Sequence, residues 1–187
     1  MYKGLLLAAA VVTCPTVASA QDFAGARIEA RIGYETPTVT TDGDDEVYKI
    51  GSAASFGGEI GYDLAVSKTV TLGAYGTYET SGVSLCDGSI CLDVNHNIGA
   101  GGRVGIEISP KAQLYGKLGY TQIKISARDT GLTASDTADG VQGAIGIGVN
   151  FGRRFYGAVE INYGDYGRFY DLNLQRRQLA GSLGVRF

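Results

Sequence analysis

The sequence predicts an all-β protein, an eight-stranded antiparallel up-and-down transmembrane β-barrel, on three observations. Apolar and polar residues alternate with period 2 in eight segments, the connections between them alternate between short and long, and the apolar residues gathered on one face of each segment have no charged residue between them. Period-2 alternation marks a strand with two unlike faces. With 29 Gly and only 3 Pro in 187 residues, long helices are disfavoured, and no helical period appears beyond the first twenty residues.

Those first twenty bear on the compartment. Lys3 precedes an apolar run over 4–12, and Ala18-Ser19-Ala20 forms a small-x-small site before Gln21. This is the pattern of a signal peptide cleaved after Ala20. The run is too short for a helical crossing, which takes about 20 residues. A lipoprotein reading of Cys14 is disfavoured by Thr13 before it and Pro15 after it. The expected division is therefore a signal peptide over 1–20 and one exported barrel domain over 21–187.

Cleavage takes Lys3 from the 16 basic residues, leaving 15 against 19 acidic ones, so no basic excess points to nucleic acid. It also leaves an even pair of cysteines, Cys86 and Cys91, in "CDGSIC". In an oxidising compartment these are expected to form a structural disulfide around an Asp-Gly turn. Two cysteines and the lone His96 supply too few ligands for a metal site.

The strands follow in order. The first, "ARIEARIGYE" at 26–35, carries Ile28, Ala30, Ile32 and Tyr34 on one face and Arg27, Glu29, Arg31, Gly33 and Glu35 on the other. The second (55–64) sets Phe56, Ile60, Tyr62 and Leu64 against Glu59 and Asp63. The third (69–80) sets Val70, Leu72 and Tyr78 against Glu79. In the fourth (95–108) Ile98, Val104, Ile106 and Ile108 oppose Arg103 and Glu107, and in the fifth (113–125) Leu114, Leu118 and Tyr120 oppose Lys117. The sixth (140–151) has Ile145, Ile147, Val149 and Phe151 opposite Ala and Gly. The seventh (155–164) has Phe155, Val159, Ile161 and Tyr163 opposite Glu160, and the eighth (175–187) has Leu179, Leu183, Val185 and Phe187 opposite Arg176 and Arg186. Only the fifth breaks phase, where apolar residues move to Ile123 and Ile125. That shift implies either a bulge near Thr121 and Gln122 or a strand already above the membrane.

Connections at 65–68, 109–112 and 152–154 are tight turns. Those at 36–54, 81–94, 127–139 and 165–174 are long and polar, so the two ends of the barrel differ. A soluble lipocalin-like barrel with an apolar cavity shares this strand pattern. Four features favour the membrane: aromatics gather at strand ends, Gly and Ala recur on the charged face, that face is nearly neutral, and the last strand runs to Phe187. A poorly solvated lumen requires balanced charge, because a buried unpaired charge costs several kcal/mol. The expected lumen network comprises Arg27, Glu29, Arg31, Glu59, Arg103, Glu107, Lys117, Glu160 and Arg176, with Arg176 as the best partner for Glu160.

"LYGKLGYTQIKI", "GAVEINYGDYGRF" and the terminal "LAGSLGVRF" resemble the small eight-stranded outer-membrane barrels of the OmpA-like and opacity-porin superfamily. The resemblance covers essentially the whole mature chain and speaks to fold and location more than to function. It implies a surround of outer-membrane lipid and lipopolysaccharide, and insertion by the barrel-assembly machinery with Phe187 in the recognised signal. It also implies extracellular long loops and periplasmic short turns. The peptidoglycan-binding domain of some relatives is absent from the sequence, so cell-wall anchoring is not implied.

Some barrels of this size modify lipid A with a His and a Ser two residues apart on a lipid-facing strand. Here the residue two along from His96 is Ile98, so a nucleophile lacks its base and no catalytic residue is assigned. No cofactor is expected: "NIGAGGRVG" is glycine-rich but begins within a strand, unlike a phosphate loop. The acidic cluster Asp42, Asp44, Asp45 and Glu46 is read as solvated loop charge ahead of a cation site. Two functions remain open. One is a barrel plugged by charge, serving envelope structure and binding an unidentified extracellular partner through its loops; the other is a narrow pore for small solutes or ions. Eight strands enclose an interior that side chains can fill, which favours the first.

Overall fold

A computed structural model describes residues 22–41, 47–88, 90–129, 132–169 and 172–187. The expected signal peptide and the acidic cluster at 42–46 lie outside the described residues. Among the described residues ten strands form: β1 (Gly25–Thr41), β2 (Val47–Lys49), β3 (Ala53–Ala65), β4 (Val70–Ser81), β5 (Ser84–Asp87), β6 (Ile90–Ser109), β7 (Ala112–Asp129), β8 (Leu132–Asn150), β9 (Phe155–Phe169) and β10 (Leu172–Arg186). Eight of them run antiparallel in the order β1, β3, β4, β6, β7, β8, β9, β10, and β10 pairs back with β1 to close the barrel. The short β2 and β5 add to the ends of β1 and β6.

At the closing seam Phe187 N–H donates to the Ala26 carbonyl at 2.9 Å. Gly25 enters β1 there with φ +116°, against the Phe187 carbonyl. A side chain would suffer both strain and a backbone collision at this position.

The strands are longer than the sequence pattern indicates. The stretches read as long loops at 127–139 and 165–174 are largely strand, with β7 running to Asp129 and β9 to Phe169. Polar outward residues concealed this, because lipid-facing alternation ends at the membrane surface while backbone pairing continues. On the outward face Tyr34, Phe56, Tyr78, Tyr120 and Tyr163 are exposed, and two residues further out stand Thr36, Ala54, Thr80, Gln122 and Asp165. An aromatic row followed at once by small and polar residues marks the upper membrane interface. From Phe155 to Tyr163 the outward face of β9 spans nine residues, matching the 9–11 or so of a tilted membrane strand.

The inward face changes as well. No register shift occurs near Thr121 and Gln122, so the bulge expected there is absent. Ile123 keeps the inward parity of Lys117 and Thr121 and is wholly buried. It packs in an apolar cluster with Val83, Val94, Ala138, Tyr166 and Leu174. The phase break thus reflects a strand already beyond the membrane, where water replaces lipid outside and apolar residues take the interior. The irregularity in this region lies in β6, between Val94 and His96.

Candidate functional site: the charged lumen

The inward positions of the membrane-spanning strands carry six buried cations, Arg27, Arg31, Arg103, Lys117, Arg176 and Arg186, and six buried carboxylates, Glu29, Glu35, Glu59, Asp63, Glu79 and Glu160. Strict alternation puts them inside, since each shares parity with its neighbours on one face of its strand. Their pairing is continuous from one end of the barrel to the other. Asp63 meets Arg103 at 2.6 Å, Arg27 at 3.0 Å and Arg186 at 3.7 Å near the periplasmic end. Arg27 also contacts Glu29 and Glu59, each at 2.5 Å. Glu59 takes Lys117 at 2.6 Å and Arg31 at 3.2 Å, and Arg31 reaches Glu79 at 3.1 Å. Arg176 closes the upper end on Glu79 at 2.8 Å and Glu35 at 2.5 Å.

Equal numbers of each sign make this column neutral. Each charge has at least one opposite partner, the condition under which buried ions are tolerated. The aromatic lining adds to it: the Arg103 guanidinium lies 4.0 Å from the Tyr115 ring centre and that of Arg186 4.7 Å from the Tyr156 ring. Tyr156 donates its hydroxyl to Glu29 at 2.7 Å. Room for these rings comes from the neighbouring strand, where Gly146 pairs with Tyr115 and a Cβ would stand 2.5 Å from its ring.

The ends of the column are closed by other chemistry. Above Glu79, Gln178 donates to Ser55 at 2.8 Å, Thr121 donates to Asn97 at 2.7 Å, and Asn97 donates to the Tyr166 hydroxyl. Over this uncharged polar tier sits the apolar cluster of Ile123 and its neighbours. At the periplasmic mouth Phe23 is 2% exposed beneath Arg186, whose guanidinium also donates to the Asp22 carbonyl at 3.0 Å.

Of the residues expected in the lumen network, eight are present and joined: Arg27, Glu29, Arg31, Glu59, Arg103, Lys117, Glu160 and Arg176. Glu107 is a correction. It is only half-buried, next to a register shift at the periplasmic end of β6, and makes no ion pair among the described residues. The partner expected for Glu160 is also corrected. Glu160 contacts Lys117 at 2.5 Å and Arg31 at 2.8 Å, while Arg176 turns to Glu35 and Glu79. The β9–β10 register explains this: Glu160 lies opposite Ala180, four residues from Arg176 and about 13 Å away along the strand.

The inward tyrosines Tyr75, Tyr115 and Tyr156, and Phe23 at the base, were not singled out from sequence. Tyr115 shares the parity of Lys117, which was the available signal. Cys86 and Cys91 face one another across β5 and β6 and are disulfide-bonded. His96 stacks on Tyr78 with ring centres 5.7 Å apart. Phe187 is exposed on the outward face at the periplasmic edge.

A closed sheet with an apolar outer face, an aromatic upper row and an ion-paired lumen defines a transmembrane β-barrel of the bacterial outer membrane. The chain belongs to the outer membrane protein beta-barrel domain family, whose model matches residues 5–187. Solved structures share the fold at low sequence identity. Ail, the attachment invasion locus protein of Yersinia pestis, is 17% identical over 86% of this chain and 99% of its own, with a TM-score of 0.55. Neisserial surface protein A is 14% identical over 86% of this chain and 97% of its own, with a TM-score of 0.58. Ail is also solved in complex with the heparin analogue sucrose octasulfate, at 16% identity, with 86% of this chain and 99% of that one covered and a TM-score of 0.56. No curated protein matches the chain significantly by sequence.

Proposed function

We propose that the protein is a non-conducting barrel that strengthens the envelope and holds an extracellular extension out to a partner, and that it is neither a pore nor an enzyme. The observation that carries this reading is the ion-pair column with its apolar cover and its Phe23 base. A hydrated ion would have to part several buried pairs in succession, and freeing one partner of such a pair costs about 3–5 kcal/mol. From Tyr120 to Asp129, β7 continues for nine residue steps, about 30 Å of strand beyond the aromatic row. Such a rigid platform suits binding more than gating.

The extracellular side sets the chemistry of the partner. The sequence segments that join the spanning strands at this end hold Asp42, Asp44, Asp45, Glu46, Asp87, Asp93, Asp129, Asp136, Asp139, Asp165 and Asp171 against Lys49, Lys124, Arg128, Arg168 and Arg177, a difference of −6. A sulfated polyanion like the one bound by Ail would be repelled here, and a partner with a basic surface is favoured. We assign Phe187 to the assembly signal read by the barrel-assembly machinery, and lipopolysaccharide and phospholipid to the surround.

Planar-bilayer recording on the purified, folded protein tests the closed lumen. No steady single-channel current is expected, and a reproducible unitary conductance would restore the narrow-pore reading. Capture of surface partners on intact cells, with and without deletion of residues 84–93, tests the binding role. Identical capture profiles would remove that hairpin from it.

A further inference from the structure

On the lipid-facing wall of β1, β8, β9 and β10 lies an apolar groove of about 620 Å³. That volume falls within the roughly 300–1,000 Å³ of small-molecule sites. Its floor is Gly157 and Gly181, and its walls are Val149 and Val159 on one side and Ile32 and Leu183 on the other. Register makes it a diagonal trough: Gly157 pairs with Val149 and Leu183, and Gly181 pairs with Val159 and Ile32. Sheet packing does not demand the missing side chain at 181, because a Cβ there would meet nothing within 4 Å. Phe151 closes the periplasmic end, its ring 3.2 Å from where a Cβ of Gly157 would stand.

Directly below Phe151 the β8–β9 turn carries Arg153 and Arg154, both exposed and without an ion pair among the described residues. Lys111 joins them, since its carbonyl accepts from Asn150 N–H at 2.8 Å. From Val149 in the groove to Phe151 at its rim is two strand steps, about 7 Å. An acyl chain in the trough would therefore bring its headgroup to these cations.

We propose that this groove binds an acyl chain of an anionic glycerophospholipid from the periplasmic leaflet, with Arg153 and Arg154 holding its phosphate. Charge complementarity selects this occupant. The trough alone would accept any alkyl chain, but the cations at its mouth favour a lipid with net negative charge over a zwitterionic one.

The chain has no tryptophan, so one introduced indole reports on one place. The reporter is Phe151→Trp at the groove mouth, and Ile106→Trp on the far wall is its control. Each full-length folded barrel is placed in phosphatidylcholine vesicles containing a minor fraction of dibrominated phosphatidylglycerol or, separately, of dibrominated phosphatidylcholine. Quenching of the groove reporter is expected to be several-fold stronger with the brominated anionic lipid, and quenching of the control equal with both. Arg153→Gln with Arg154→Gln should abolish the difference, and Gly181→Leu should weaken quenching by either lipid. Equal quenching of the groove reporter by both lipids overturns the proposal, as does a preference that survives loss of both arginines. Chemical cross-linking of the parent protein in the same vesicles adds a further outcome. A dimer that Gly181→Leu dissolves would assign the groove to a second copy of the chain and overturn the lipid. Should Gly181→Leu fail to fold, the arginine pair, in an exposed turn, decides alone.

Discussion

Arg31 on β1 reaches Glu160 on β9 at 2.8 Å across the lumen, between strands that are not neighbours in the sheet. The contact ties walls separated by 129 positions in sequence, and β10 stands between them. It braces the barrel in a way that backbone pairing, which joins only adjacent strands, does not.

Removing either member alone leaves a buried charge short of a partner. Glu160→Gln and Arg31→Met should each destabilise the barrel by about 3–5 kcal/mol. The double variant should be milder than the sum, with a coupling energy above about 1 kcal/mol. Glu160→Gln with Arg176→Met should couple more weakly, because these two do not touch and are joined only through Arg31 and Glu79. Reversible urea unfolding in lipid measures both cycles, and equal coupling in the two would contradict the observed pairing.

The apolar cover predicts a loss located outside the membrane. Ile123 is 0% exposed, so Ile123→Ala should cost about 2–5 kcal/mol. Ile161, 68% exposed toward lipid, should lose less on the same change. Hydrogen exchange should show faster opening of the upper parts of β6, β7 and β8 in Ile123→Ala, with the spanning segments unaltered. Faster exchange throughout the barrel would mean that the cover and the ion-pair column unfold as one unit.

At the β5–β6 hairpin, alkylation of the mature protein without reductant should label neither Cys86 nor Cys91. Replacing both by Ser should lower stability by no more than about 2–3 kcal/mol, because the closed ring is small. Calorimetry of the double variant reads the change, and a larger loss would assign the clip a part in barrel folding.

The same hairpin should respond to acid. The Ser84 hydroxyl, together with Arg128, holds the Asp93 carboxyl below its ordinary range. Arg128 donates to it at 2.7 Å. A carboxylate whose folded value is depressed stabilises above its unfolded value of about 3.9 and loses that contribution as pH falls through the folded one. NMR titration should therefore show the amides beside Asp93 shifting at lower pH than those beside an unperturbed aspartate. In Asp93→Asn that acid transition should vanish, and its persistence would place the titrating group elsewhere.

Strand identity and facing were legible in the sequence because they are local properties. Alternation in "ARIEARIGYE" put Arg27, Glu29 and Arg31 on one face whatever the rest of the chain did, and a nearly neutral total across the charged faces favoured a lumen. Tertiary structure alone decided which charge meets which. Closure staggers each strand against the next, so Glu160 falls level with Arg31 and Lys117 while Arg176, on the adjacent strand, lies about 13 Å along. The meaning of Ile123 was likewise undecided from sequence, because an apolar residue at an inward position signals a bulge below the membrane surface and a core above it. Only the level of Tyr120, fixed by its neighbours around the closed barrel, separates the two: water reaches the outer face above that level and lipid below it, and the inner face adopts the opposite polarity in each zone.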